Sequence, residues 1–93
     1  MLQLAEKHKK ILQQILTKYP YKFYAYGSRV KGTARKFSDL DLCYQEEIPW
    51  EVICQIKEDL EESDLSFFVD LVSWKRMSPN FQELIKKDLT PLF

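Results

Sequence analysis

The stretch YAYGSRVKGTARKFSDLDL, residues 24–42, carries the residues on which the prediction of fold and function depends. The chain has only two glycines, and both Gly27 and Gly32 lie within this stretch. Ten residues after the glycine-serine step, Asp39 and Asp41 follow with one leucine between them. Glycines, basic residues and paired carboxylates in so short a segment suggest a functional site.

The local pattern of this stretch predicts a strand, a short helix and a second strand. YKFYAY (21–26) is rich in aromatic residues, which favours a strand that ends at Gly27. Residues 28–34 fit a short helix. DLDLCY (39–44) alternates, and successive side chains of a strand point to opposite faces. We therefore expect both carboxylates on one face of the second strand and its leucines in the core.

The rest of the chain extends this pattern to a small α/β (α+β) fold. Apolar residues recur at helical spacing before Pro20 and after Pro49, and Ser78-Pro79 is typical of a helix start. We expect one domain, 1–93, with a three-stranded mixed sheet flanked by helices in the order α-β-α-β-α-β-α. Its further elements are a helix from Leu4 to Tyr19, a helix with Trp50, Ile53, Ile56 and Leu60 along one side, a strand at 66–74, a helix from Pro79 to about Asp88, and a tail, 89–93, that either docks on a partner or frays.

Composition limits the classes of protein. The chain has 93 residues, 45% apolar residues and zero net charge, as a folded soluble domain would. No apolar run reaches the length of a membrane span, and no signal peptide is visible. Zero net charge removes the broad electrostatic argument for nucleic-acid binding. Because Cys43 and Cys54 lack the spacing of a zinc site, we expect reduced thiols and a cytoplasmic location.

Three carboxylates form the acidic half of the predicted site. Asp39 and Asp41 share one face of the second strand, and Asp70 interrupts an otherwise apolar third strand. A lone carboxylate in such a strand is unfavourable without a partner. Neighbouring carboxylates repel one another, and Mg²⁺ or Mn²⁺ bound by their oxygens would relieve that repulsion.

The glycine-serine step forms the other half. A strand that turns into a helix at Gly27-Ser28 presents backbone N–H groups to an anion, and glycine permits a close approach. Arg29 and Lys31 add positive charge, with Arg35 and Lys36 behind them. Anion donors beside metal-binding acids predict a site for a metal-bound triphosphate.

Each half of the motif also has simpler explanations. A glycine-serine step serves equally as a plain helix cap, and an Asp-x-Asp pair is often a solvated strand end. GSRVKGT is not a P-loop, because Thr33 stands where lysine should follow Gly32. DLDLCY lacks the third acid and the central glycine of a calcium loop, and a glycosyltransferase would need a longer chain. The combination with Asp70 is what makes the motif specific.

The motif resembles the signature of the DNA polymerase β nucleotidyltransferase superfamily. GSRVKGTARKFSDLDL is similar in particular to its minimal nucleotidyltransferases (MNT), and the resemblance covers about residues 9–88. It implies a palm-like fold and transfer of a nucleoside monophosphate from a nucleoside triphosphate to a hydroxyl group. Gly27 and Ser28 would hold the β- and γ-phosphates. Asp39 and Asp41 would bind two Mg²⁺ ions, while Asp70 would complete one metal site and help to deprotonate the attacking hydroxyl.

The resemblance also implies a partner. Minimal members of the family act as antitoxins that attach AMP to a tyrosine of a helical HEPN toxin. We therefore expect ATP as the substrate, a HEPN-type partner and a hetero-oligomer. The alternative is a non-catalytic module that neutralises its partner by binding it, with or without a nucleotide. Three converging acids favour the enzyme, because a binding module has no need of them.

Overall fold

The helices and strands follow one another in the predicted order. The computed structural model describes residues 2–35 and 38–93. Two single-turn 3-10 segments, Trp74–Arg76 and Lys86–Asp88, follow the third strand and the last helix. The elements are α1 (Glu6–Leu16), β1 (Tyr24–Tyr26), α2 (Ser28–Lys31), β2 (Leu40–Tyr44), α3 (Trp50–Glu61), β3 (Val69–Ser73), α4 (Pro79–Ile85) and β4 (Thr90–Pro91).

The strands form one mixed sheet in the order β3-β2-β1-β4. β2 and β3 are parallel and are joined by α3, whereas β1 is antiparallel to both of its neighbours. Parallel neighbours need a crossover of this kind, because a hairpin cannot join them. In this register Asp41 pairs with Asp70 on one side and with Tyr26 on the other.

The two faces of the sheet are covered differently. On one face, Leu40 and Leu42 are fully buried against apolar residues of α1 and α3. On the other face, Tyr26, Cys43 and Ile85 form a smaller buried cluster under α4. The alternation of β2 therefore has the predicted consequence, since its leucines enter the main core and its aspartates lie on the opposite face.

The sheet has four strands, so the expectation of three was wrong. Thr90 pairs with Ala25 and Pro91 with Tyr24, and the Leu92 amide donates to the Phe23 carbonyl at 2.9 Å. A two-residue strand that includes a proline has no alternating pattern, so its sequence gave no signal. This part of the tail is therefore not frayed, because Leu92 is buried in the main core.

Three smaller expectations can be compared with the described residues. Ser78 caps α4, since its hydroxyl oxygen accepts from the Phe81 amide at 3.2 Å. Cys43 and Cys54 are both free thiols, the first buried and the second exposed. Within residues 2–35 and 38–93, no helix combines the length and apolar character that a bilayer crossing requires.

The docked tail predicts a difference between two neighbouring residues. Leu92→Ala should lower the free energy of unfolding by about 2–4 kcal/mol, because it leaves a cavity beside α1 and β1. Phe93→Ala, at a side chain that is 51% exposed, should change it by less than about 0.5 kcal/mol. Urea unfolding of both variants measures the difference, and equal values would contradict the docking of the tail.

Candidate active site

The centre of the site is a pair of half-buried carboxylates on adjacent parallel strands. Asp41 of β2 and Asp70 of β3 are register partners, so their side chains leave the same face of the sheet. Burial raises the pKa of Asp41 above its ordinary value, and the charges of Asp70 and then Asp39 raise it further. The structure therefore brings the three predicted acids within electrostatic reach of one another.

Asp39 occupies a more open position than the other two acids. It is exposed and directly precedes β2, two residues before Asp41. Its charge acts on two neighbours, because it raises the pKa of Asp41 and opposes the lowering of the Arg29 pKa by burial. Asp39 is thus close enough to both Asp41 and Arg29 for its charge to act on each of them.

Two properties suit Gly27 to its place beside Asp41: its backbone conformation and its lack of a side chain. Its φ of 84° and ψ of −156° lie in a region that side chains disfavour. A Cβ atom placed on Gly27 would be only 2.5 Å from Asp41 Oδ2. Because Tyr26 pairs with Asp41, the chain must turn into α2 immediately beside that carboxylate. Only glycine leaves this position free for the Asp41 carboxylate.

The first turn of α2 follows the predicted geometry. The amides of Val30 and Lys31 both donate to the Gly27 carbonyl at 3.1 Å, and no side chain caps the turn. Ser28 is half-buried at the first helical position, and among the described residues its hydroxyl makes no hydrogen bond. A hydroxyl in this position can donate to an anion beside Asp41. Phosphate binding by Gly27 and Ser28 remains a prediction.

Arg29 has contacts that the sequence did not indicate. Its Nε and Nη2 atoms donate to the Ser38 carbonyl at 3.0 and 2.8 Å, and Nη1 donates to the Gln3 carbonyl at 3.0 Å. The guanidinium carbon also lies 4.2 Å from the centroid of the Phe67 ring. These contacts bury Arg29 and fix the chain directly before Asp39, so it acts as a positioning residue. A phosphate contact by Arg29 stays a prediction.

Lys31 lies near an acid of the C-terminal segment. Its Nζ atom is 4.0 Å from Asp88 Oδ2, a buried oxygen that has no hydrogen-bond partner among the described residues. Asp88 is held at the end of the 3-10 turn that leads into β4. Of the other predicted cations, Arg35 is exposed and Lys36 lies outside the described residues.

Tyr26 is a residue of the site that sequence reasoning missed, because it was counted only among the aromatic core and interface residues. It is buried, and its ring packs edge-on against Phe81 of α4. Burial raises the pKa of Tyr26 to about 12, with further contributions from Asp41, Asp70 and Cys43. Its phenol therefore stays protonated at neutral pH beside the carboxylates. Its place directly before Gly27 was the available signal.

The donor set fits a divalent cation, although it is not assembled as a closed cluster. Within the described parts of the chain, no three histidine, cysteine or acidic side chains lie close enough together to hold a metal ion as placed. However, Asp41 and Asp70 are adjacent, the charge of Asp70 disfavours an ionised Asp41, and a cation would relieve this repulsion. Carboxylate oxygens are the ligands that Mg²⁺ and Mn²⁺ prefer.

Comparison with known proteins decides the family. Residues 6–93 match the family described as "Polymerase beta, Nucleotidyltransferase". The chain belongs to this nucleotidyltransferase family. A relative from Haemophilus influenzae, named "Probable protein adenylyltransferase MntA", is 46% identical over 81 residues, which cover 85% of this chain and 69% of the relative. The resemblance to the minimal nucleotidyltransferases is confirmed, and with it a nucleoside triphosphate as the substrate and a divalent metal as the general requirement of the family.

The two glycines of this nucleotidyltransferase provide a matched test of the site. Gly27→Ala and Gly32→Ala should each lower the free energy of unfolding by about 1–3 kcal/mol, because φ is 84° at one and 78° at the other. A Cβ at Gly32 meets nothing within 4 Å, whereas one at Gly27 displaces Asp41. Only Gly27→Ala should therefore lower nucleotidyl transfer, on the order of a hundredfold. Equal activity of the two variants would contradict this geometry.

The raised pKa of Asp41 predicts a conflict between stability and function. Its contribution to stability is fully present below the unfolded pKa of about 3.9 and is lost as the pH rises through the higher folded value. Asp41→Asn should therefore raise the free energy of unfolding at pH 7, without divalent metal, and change it less near pH 4. Urea unfolding across this range measures the effect. If Asp41→Asn were destabilised at pH 7, the expected effect would be contradicted. Asp64→Asn, in the exposed acidic turn, is the control.

Proposed function

We propose that this nucleotidyltransferase transfers AMP from ATP to a hydroxyl group of a partner protein and that it requires Mg²⁺. The observation that carries the chemistry is the pairing of Asp41 with Asp70, next to a turn at Gly27 where a side chain would displace the Asp41 carboxylate. The name of the relative, a protein adenylyltransferase at 46% identity, supports AMP as the transferred group and a protein as the acceptor.

The acidic residues have the clearest roles in this proposal. Asp39, Asp41 and Asp70 would hold Mg²⁺, with Mn²⁺ as a possible substitute. When bound, the metal supplies charge stabilisation for the pyrophosphate leaving group and increases the reactivity of the acceptor oxygen. Asp70, on the outer side of Asp41 in the sheet, is the carboxylate that we assign to help remove the proton from the acceptor hydroxyl.

The remaining residues of the site position the phosphates. The first turn of α2, with the Ser28 hydroxyl, would donate hydrogen bonds to the β- and γ-phosphates, and Lys31 would supply a charge nearby. On the other side, the register of β1 and β2 places Tyr26, whose phenol stays protonated, next to Asp41. Positioning and electrostatic stabilisation are the main requirements of phosphoryl-type transfer.

We further propose that the acceptor is a helical partner of the HEPN class and that the two proteins form the antitoxin and toxin of a pair. The support is the resemblance to the minimal nucleotidyltransferases together with the adenylyltransferase relative. Such a pair would work as a hetero-oligomer in the reducing environment of the cytoplasm, where both thiols stay free. The competing proposal is a module that neutralises its partner by binding alone.

A double substitution separates the enzyme from the binding module. Asp39→Asn with Asp41→Asn should lower label transfer from ATP to the partner on the order of a thousandfold or more, because several kcal/mol of charge stabilisation are lost. The assay combines the protein, Mg²⁺, ATP labelled at the α-phosphate and the product of the neighbouring gene. Asp64→Asn, an exposed acid away from the site, should transfer label normally.

The same variants should still bind the partner in a pull-down assay, since the substitutions change only the nucleotide site. A double variant that neutralises the partner as well as the unmodified protein does, without label transfer, would establish the binding module. If neither the unmodified protein nor any variant transfers label to the partner, the proposed acceptor is contradicted, but membership of the nucleotidyltransferase family is not.

A further inference from the structure

A second cavity lies at the carboxyl ends of the parallel strands, away from the carboxylates. Its volume is about 290 Å³, and its wall includes the last residues of β2 and β3 and the start of α3. Crevices outside the carboxyl ends of parallel strands are preferred positions for ligands in α/β proteins. None of the residues assigned to the nucleotidyltransferase site lines this cavity.

The cavity is separated from the carboxylates by position and by face. Tyr44, which lines it, is three residues beyond Asp41 in β2, or about 10 Å along the strand at about 3.3 Å per residue. Tyr44 also shares the face of Leu40 and Leu42, which α3 covers, whereas Asp41 lies on the face that α4 covers. A molecule bound here would not occupy the site of phosphate transfer.

An aromatic surface forms one side of the cavity. Trp50 was expected along the same side of α3 as Ile53 and Ile56, but its side chain is 69% exposed, while those two are buried. The indole lines the cavity together with the half-buried Tyr44. Tryptophan is highly buried on average, so its exposure at a cavity mouth indicates a surface on which a flat ring can stack.

The acids that line the cavity have other partners, so its cations are available to a ligand. Glu46 accepts from the Lys22 amide at 2.6 Å, and Glu47 pairs with Lys75 at 2.8 Å. By contrast, Lys57 and Arg76 line the cavity without an ion pair to any acid in residues 2–35 and 38–93. Their charges can therefore interact with an anionic ligand, and arginine matches the geometry of phosphate especially well.

We propose that this cavity binds a nucleoside phosphate at a second site, distinct from the substrate nucleotide. The base stacks on Trp50 beside Tyr44, and the phosphate interacts with Lys57 and Arg76. An aromatic surface next to two available cations matches the two parts of that ligand, a flat ring and an anion. The site would let a nucleotide bind the protein without engaging the carboxylates.

The two tryptophans of the chain provide a direct test. AMP is titrated into the full-length protein in EDTA, and the two indole N–H signals are followed by NMR. The Trp50 signal should shift, while that of Trp74, which packs in the cluster under α4, should not. Adenosine and inorganic phosphate, titrated separately, should each bind more weakly than AMP. Inorganic phosphate that competes as well as AMP would overturn the nucleoside part of the proposal.

Substitutions assign the binding to this cavity. Trp50→Ala, at an exposed position that should not disturb folding, should weaken AMP binding measured by calorimetry at least about fivefold. Lys57→Gln with Arg76→Gln should also weaken it, whereas Lys10→Gln, at an exposed lysine of α1 that does not line the cavity, should not. Asp41→Asn should leave this binding unchanged, which separates it from the substrate site. Absence of a Trp50 shift, or a shift that the Lys57/Arg76 substitutions leave intact, would overturn the proposal.

Discussion

The repulsion between two carboxylates held side by side on parallel strands is the constraint around which this structure is built. Asp41 and Asp70 are register partners of β2 and β3, so the backbone pairing holds them next to each other on one face of the sheet. Burial is the main cause of the raised pKa of Asp41, and the charge of Asp70 raises it further, so the ionised pair is unfavourable without a cation. A divalent ion bound there, as we propose, would convert the repulsion into binding energy.

Several other features of the structure help to position this pair of carboxylates. Gly27 lets the chain turn into α2 beside Asp41, and Arg29 fixes the chain at Ser38, just before the exposed Asp39. α4 covers the carboxylate face and carries the ring that packs against Tyr26. The main core under the opposite face makes the sheet rigid, so the geometry of the site is preorganised by apolar packing.

The sequence predicted those parts that depend on local pattern. Alternation in DLDLCY placed the leucines of β2 in the core and its aspartates outside, and the serine-proline pair at Ser78 located the start of α4. Both predictions rest on local signals, a strand period and a helix cap, that need only a few adjacent residues. Local pattern alone does not predict that Asp41 and Asp70 are adjacent, because their adjacency depends on two strands pairing in parallel with a particular register.

What could not be predicted depends on contacts between distant segments. Arg29 was assigned to phosphate because it follows Ser28, but its hydrogen bonds go to carbonyls of Ser38 and Gln3, which only the folded chain brings together. The fourth strand and the position of Asp88 near Lys31 have the same origin. Trp50 followed the helical period and still became exposed, because the sheet ends before it.

The position of the divalent ion on the protein is the most direct test of the site at Asp41 and Asp70. Mn²⁺ can be titrated into the isotope-labelled chain with a non-hydrolysable ATP analogue, and the paramagnetic broadening of backbone amide signals measured by NMR. We expect the strongest broadening at Gly27, Asp41 and Asp70, and its loss in Asp41→Asn. Broadening centred on the acidic turn at 61–64, with the signals of Gly27 and Asp70 unchanged, would contradict the account.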